Sequence, residues 1–583
     1  MIDTHGAVAG RFLADPVSSG DIFTREDLTD EHRLFGKTAA EFMRQEVVPR
    51  ERRLYAHDWA LMRDLLAKAA ALDLTRLEIP TAYGGLGLDK ISAAYVGEQI
   101  AVNPSFAGSL GAHTSIGTLP IVYFGTDDQK ARYLPRLASA ELIGAYALTE
   151  SQSGSDALAA RTSATLTADG RHYALNGQKA WITNGGFADL FTIFAKIGGD
   201  RFTAFIVERD MGVVSGADEK KLGLDGSSTT ALMLDNVLVP VENVLGTIGE
   251  GHKVAFNILN LGRVKLGTRN IAGVREAIGH ATRYARERRQ FGRAIAEFGL
   301  IKQKLAEMAI RCYVGDAMVY RALGDVDRAL DAVDPADARA VLKTIEAFAV
   351  ECSINKVWTS EALAFAVDEA LQVFGGNGYS REFPVERAYR DARITRIYEG
   401  TNEINRLIIP TRLLKQSPAL FGADGVARAL GDSAPASIAA GPLAPERHLL
   451  ACAKRLAIAT LGKAAEACGD QLKEEQEVLG HVADLAIEVY AIEGAVARTE
   501  KLLGSRGGEQ GLAAADITRV YASDAADRMA HSAKQVAAAL ASRGHGAAIL
   551  RLAHDLAARA SVDTITARRR IADAVIAAGR HPF

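Results

Sequence analysis

The chain has 583 residues, 48% hydrophobic and 24% charged, which is too long for one ordinary core and suggests two to four globular domains. Lys and Arg total 68 against 71 Asp and Glu, and the net charge of −3 gives no electrostatic reason to expect nucleic acid as a partner. The four cysteines, Cys312, Cys352, Cys452 and Cys468, form no CxxC pair, so they read as reduced core thiols of a cytosol-like compartment, with no disulfide frame and no metal site.

The opening Met1-Ile-Asp-Thr-His-Gly lacks the basic and apolar stretches of a secretion signal, and no run of about 18 apolar residues occurs, so a cytoplasmic protein without a membrane span is expected. Residues 1 to about 25 read as a loosely held arm. An N-terminal helical domain is expected over 25–145, from the helical spacing of Leu34, Phe35, Ala39, Phe42, Met43 and Val47 onward. Its glycine-rich Pro80–Gly87 turn lacks the Lys-Ser/Thr of a phosphate loop and the GxGxxG of a dinucleotide fold, and reads as a tight connection. Gly108-Ser-Leu-Gly-Ala-His-Thr-Ser-Ile-Gly117 is a run of small residues, suited either to close helix packing or to lining a deep apolar slot.

The texture changes near 146. Thr, Val, Phe and Tyr alternate through Thr162–Val239, with turns expected at Asn176-Gly177 and Gly199-Asp200, so a small antiparallel β domain is assigned to 146–250. Amphipathic helices resume over 251–415, a Gly/Ala/Ser/Pro-rich linker is expected over 416–445, and an alanine-rich helical region fills 446–583.

Within the third segment, Arg393-Ile-Thr-Arg-Ile-Tyr-Glu-Gly-Thr-Asn-Glu-Ile404 sets one carboxylate, Glu399, between Tyr398 and Gly400. Ile404, Leu407 and Ile408 then recur at helical spacing, with Thr401 as the N-cap. A carboxylate on a loop feeding a helix suits a general base: Gly400 lets a ligand approach the backbone and Tyr398 excludes water. The bland reading is a charge placed favourably near a helix dipole.

Five stretches decide between these readings. Ala145-Tyr-Ala-Leu-Thr-Glu-Ser-Gln-Ser-Gly-Ser-Asp156, Lys179-Ala-Trp-Ile-Thr-Asn-Gly185, Arg286-Glu-Arg-Arg-Gln-Phe-Gly292, Gln372-Val-Phe-Gly-Gly-Asn-Gly378 and Tyr398-Glu-Gly-Thr401 resemble, in order, the signatures of the acyl-CoA dehydrogenase family. The helical extension, Gly108–Gly117 and Asn257-Ile-Leu-Asn-Leu-Gly-Arg263 further resemble its very-long-chain branch. The resemblance implies an α+β fold: N-terminal helices, a central β domain, a four-helix bundle and an extra C-terminal helical domain. It implies FAD held by Tyr146, Leu148, Thr149, Gly154, Ser155, Trp181, Ile182, Thr183, Arg288, Phe291, Gln372, Gly375, Gly376, Thr401, Asn402 and Glu403. Acyl-CoA would meet Ser155, Asn260, Arg263, Tyr398, Gly400, Gly108 and Gly111. An Asn at 260 stands where several relatives carry Asp.

The activity so implied is α,β-dehydrogenation of a long or very long acyl-CoA to the trans-2-enoyl-CoA, the first step of fatty acid β-oxidation, with Glu399 as base and electrons passed to electron-transferring flavoprotein. Some branches place the base before the arginine equivalent to Arg263, but that position is Gly262 here. The resemblance also implies a homodimer, because the flavin half-sites belong to different protomers. Ala419–Leu430 corresponds to a segment that lies on membranes in long-chain relatives; a disordered linker is the competing reading. An oxygen-using acyl-CoA oxidase and a catalytically idle assembly protein remain the alternatives, the second opposed by the intact Tyr-Glu-Gly-Thr.

Overall fold

The computed structural model describes residues 10–15, 18–335, 337–431, 441–506, 508–558 and 562–583. They form two units, one of Leu28–Lys265 with Leu330–Glu346, the other of Met1–Asp27 as far as described, Leu266–Ala329 and Ala347–Phe583.

In the first unit, Thr29 caps the Asp30–Phe42 helix by accepting from the His32 amide, and Thr126 caps Asp127–Ala138 through Gln129. Phe42, Leu65, Leu66 and Phe106 close the helical core. The Pro104–Gly111 helix continues as one widened turn, Ala112–Gly117, and buries His113 there. The Gly144 amide donates to His113 Nδ1 at 3.0 Å, so Nε2 carries the proton and donates to Leu137 O at 3.0 Å. Burial drives this ring down to about 4, which keeps it neutral.

The sheet runs β6-β7-β3-β2-β4-β5-β8, with β1 added on β4. Its strands are β1 Gly144–Ala147, β2 Ser163–Leu166, β3 His172–Thr183, β4 Leu190–Ile197, β5 Arg201–Glu208, β6 Val214–Asp218, β7 Thr229–Pro240 and β8 Val244–Leu245. β1 and β2 both run parallel to β4, so the sheet is mixed where an antiparallel one was expected. The β4–β5 hairpin turns through Gly198 and Gly199, both at positive φ. Asn176-Gly177, by contrast, is no turn. It lies inside β3 at a bulge, where Gly177 has φ 152° and an added Cβ would meet Thr162 at 2.6 Å, so the glycine serves close strand approach.

The second unit is helical: Gly299–Asp331, Ala349–Phe374, Asn402–Gln416, Ala444–Cys468, Gln476–Arg506, Gly508–Ala539 and Thr564–Ala578 are its main members, joined by the later turns of Gly251–Glu287. All four cysteines are buried in it and unbridged. Among the described residues no helix is long and apolar enough to cross a membrane.

Two expectations are corrected here. The N-terminal arm is not loose over its described part: Phe12 and Leu13 are each 2% exposed, and the Phe12 ring meets Tyr490 edge-on at 5.2 Å. Lys454 Nζ donates to Asp15 O at 2.6 Å, and the buried Arg498 guanidinium reaches Glu26 at 2.6 Å and Tyr313 O at 2.8 Å. The linker is likewise ordered over Pro418–Phe421 and Ala423–Leu430, two short helices. Phe421, Val426 and Ala429 are buried, and Gly462 leaves room for Val426, so these apolar side chains pack inside the protein. The rest of that stretch, 432–440, lies outside the described residues.

Candidate functional site

Nine described non-glycine residues have left-handed φ, and four of them fall in the five sequence motifs: Trp181, Asn184, Phe291 and Glu399. Each such backbone costs about 1–3 kcal/mol and persists only where its surroundings impose it, so strain is concentrated in the motifs.

In the first unit the cause is a bulge in β3. Lys179 pairs with Leu232 and Ile182 with Thr230, so Ala180 and Trp181 stand opposite one residue of β7. Trp181 takes φ 61° and presents its ring, 58% exposed, while Ile182 turns into the core. The Ala180 amide donates to Thr149 O at 2.9 Å, tying the bulge to the loop after β1.

That loop is held by a buried ion pair. Glu150 and Lys179 side chains are 3% and 0% exposed, with Nζ to Oε1 at 2.7 Å. The same carboxylate accepts from the Thr162 hydroxyl at 2.5 Å, the Arg161 and Thr162 amides and Gln152. Burial opposes ionisation, but these donors hold Glu150 down at about 2, so the pair stays ionic. Gly154 and Ser155 then sit exposed at the loop's outer edge, and a Cβ at 154 would meet nothing within 4 Å. Thr149 and Thr183 are half-buried, while Tyr146 and Leu148 are core side chains, so they offer a ligand mainly their backbone. Asn184 anchors the strand end, its Nδ2 donating to Ser109 O at 2.9 Å.

The expected slot residues diverge. Nothing lies nearer than 3.9 Å to a Cβ built on Gly108, whereas one on Gly117 would meet the Gly144 backbone at 2.8 Å, so Gly117 serves helix-to-strand packing. Gly111 is the half-buried last residue of its helix. Asn260 and Arg263 are both buried and bonded to each other at 2.9 Å.

In the second unit, a short ribbon of Arg289–Gln290 and Arg293–Ala294 turns through Phe291 and Gly292, both at positive φ, as a tight mirror-image turn requires. Phe291 is 93% exposed at its tip, and Arg288 is exposed at its base. Gln372, Gly375 and Gly376 are exposed at the end of Ala349–Phe374, with open space where either glycine's Cβ would be.

Glu399 has φ 59° and Gly400 φ 81°. The loop is fixed by Asn405, a buried residue whose Nδ2 donates to the carbonyls of Glu399, Gly400 and Thr401 at 3.4, 2.8 and 3.0 Å. Thr401 caps the helix, accepting from the Ile404 amide, so the positive end of that helix lies just behind the loop. Glu399 is half-buried and its Oε2 is shielded from solvent. Tyr398 keeps 39% of its surface, yet burial of its hydroxyl end, against the pull of Arg269, pushes it up to about 12 and leaves the phenol neutral. Asn402 does not present its side chain outward: Lys356, Ser360 and Glu361 occupy it at 2.6 to 3.3 Å. Glu403 is exposed.

Three descriptions of acyl-CoA dehydrogenase domains match in order: N-terminal over residues 29–141, middle over 145–237 and C-terminal over 249–414. A further acyl-CoA dehydrogenase C-terminal domain matches 452–551. A probable acyl-CoA dehydrogenase of Bacillus subtilis is 45% identical over 535 residues, 90% of both chains. The chain belongs to the acyl-CoA dehydrogenase family.

Within that family, an acyl-CoA dehydrogenase from Bacillus anthracis, solved complexed with FAD, superposes with a TM-score of 0.95 at 41% identity, covering 98% of this chain and 99% of that one. The human mitochondrial very long-chain specific enzyme is 43% identical over 344 residues, 57% of this chain and 50% of that protein, so this chain spans about half its length. Sequence reasoning named the family's motifs but passed over the residues that hold them in place. Glu150, Lys179 and Asn184 stood inside the quoted motifs, and Asn405 stood one helical turn after Thr401; a buried polar role leaves no periodic signature to find them by.

Proposed function

We propose that this chain is an FAD-dependent acyl-CoA dehydrogenase in which Glu399 removes the α-proton of a long-chain acyl-CoA thioester. The observation that carries this is the strained Glu399 backbone, held by Asn405 with one carboxylate oxygen out of water.

Each unit by itself carries residues that suit the flavin: in the first, an exposed Trp181 on a bulge and open backbone at Gly154 suit a flat ring; in the second, open backbone at Gly375 and Gly376 and exposed Arg288 and Phe291 suit a phosphate chain. Held by these residues, the flavin would supply a hydride acceptor for the β-carbon. Glu399 takes the proton from the neighbouring α-carbon, and trans-2-enoyl-CoA results. The helix behind the loop favours the Glu399 anion, while an acyl chain laid against it strips water and strengthens it as a base. Neutral Tyr398 adds no competing charge.

The open space at Gly108 and the likeness to very long-chain enzymes support a long acyl substrate, and the exposed Phe291 and Tyr379 support a homodimer. We read electron-transferring flavoprotein as the acceptor. Under nitrogen, palmitoyl-CoA should bleach the flavin faster than butyryl-CoA. Glu399→Gln should keep its yellow colour yet bleach at least about a thousandfold more slowly. Retention of a tenth of wild-type turnover would remove Glu399 from the role.

A further inference from the structure

The C-terminal helical region packs against the helix that follows the proposed base loop, and one side chain of that helix, Arg406, is bonded to it. Arg406, one turn into the Asn402–Gln416 helix and next to Asn405, lays its fork on Glu361 of Ala349–Phe374, Nη1 and Nη2 donating at 2.7 and 3.0 Å. Its remaining Nε–H donates to Asp484 of Gln476–Arg506 at 2.8 Å. Glu361 in turn accepts from Asn402 Nδ2 at 3.0 Å, and Asn402 accepts from the buried Lys356 at 2.6 Å. One planar cation therefore binds the base-loop helix to two neighbours in different directions. A guanidinium resists rotation in such a fork, as an ammonium does not.

The geometry of the loop makes that orientation matter. Asn405 holds three successive carbonyls of the strained Glu399–Thr401 turn, and it sits one residue before Arg406. A small roll of this helix about its axis moves Asn405 and the turn together. Displacement of a reacting group by about 1 Å is enough to cost about a hundredfold in rate.

We propose that Asp484 is a positioning residue for the dehydrogenation: through Arg406 it fixes the roll of the Asn402–Gln416 helix, and with it the place of the Glu399 carboxylate. The C-terminal region thereby acts as a buttress of the base loop. This rests on the assignment of Glu399 as base.

The test uses the full-length flavin-loaded enzyme and palmitoyl-CoA carrying either hydrogen or deuterium at the α-carbon. Asp484→Asn is expected to lower kcat about tenfold, leave KM within about twofold, and enlarge the α-deuterium isotope effect, with flavin content and melting temperature close to wild type. Asp484→Glu is expected to restore most of kcat. An unchanged kcat and isotope effect in Asp484→Asn would overturn the proposal, as would a loss that only tracks loss of folded, yellow protein. If Asp484→Asn does not fold, Asp484→Ser and Asp484→Glu are read in the same way, and equal kcat in those two overturns it. Failure of the base assignment is separately visible: Glu399→Gln then retains turnover whatever Asp484 does.

Discussion

A buried carboxyl without a counter-charge of its own is the sharpest single-residue feature outside the motifs. Glu351, in Ala349–Phe374, is 7% exposed, and no hydrogen bond reaches its Oε2 among the described residues. Burial and the nearby Asp325 push it up to about 7, against the pull of Arg321. The folded protein thus binds a proton that the unfolded chain releases above the ordinary value of 4.5. The corresponding stability is complete below pH 4.5 and is lost as pH rises through about 7, a cost of about 3 kcal/mol. Glu351→Gln should therefore flatten the fall in melting temperature between pH 5 and pH 8 and melt higher than wild type at pH 8. Parallel pH profiles would refute this. Such a residue was invisible in the sequence, where a Glu between apolar neighbours looks like any helix-face charge. The loop around Glu399, by contrast, was legible as the entry to a capped helix, because a glycine, an aromatic ring and the Thr401 cap surround it in four residues.

At the scale of elements, the β3 bulge does the work that the motif only hinted at. Alternation showed the strand, but the extra residue at Ala180–Trp181 depends on the partner strand β7 and on the Thr149 carbonyl, which are distant in sequence. The same blindness turned Asn176-Gly177 into an expected hairpin, since Asn-Gly favours a two-residue turn unless a neighbouring strand needs the space. Lys179 sets one end of the bulge. Lys179→Met should leave Glu150 as a buried charge without its cation, cost about 3–5 kcal/mol, and loosen the loop that carries Thr149 and Ser155. The expected signs are a lowered melting temperature and flavin lost on gel filtration. Adding Glu150→Gln should recover part of the stability, because the unpaired charge is then gone.

For the whole molecule, domain order was readable from texture and from motif order, whereas the fate of the chain's low-complexity stretches was not. Phe12-Leu13 and Pro418–Leu430 carry too few apolar residues for a periodic pattern, and they order by filling niches built by distant helices. Arg498 shows what the short Arg25–Asp27 turn further along contributes. Its guanidinium is fully buried, stacked on Tyr313 at 4.1 Å and joined to Glu26 at 2.6 Å, with Asp316 at 3.7 Å. Glu26→Ala should remove the main partner of that charge and cost about 3 kcal/mol, seen as an earlier calorimetric transition and faster proteolysis near residue 26. An unshifted transition would show that Asp316 suffices. The buried sulfurs carry a practical corollary. Cys312, Cys352, Cys452 and Cys468 all belong to the unit that contains Glu399 and are shut away from solvent. Alkylating reagents should therefore stay silent on the native enzyme and become a selective clock for the opening of that unit, leaving the sheet-bearing unit chemically dark.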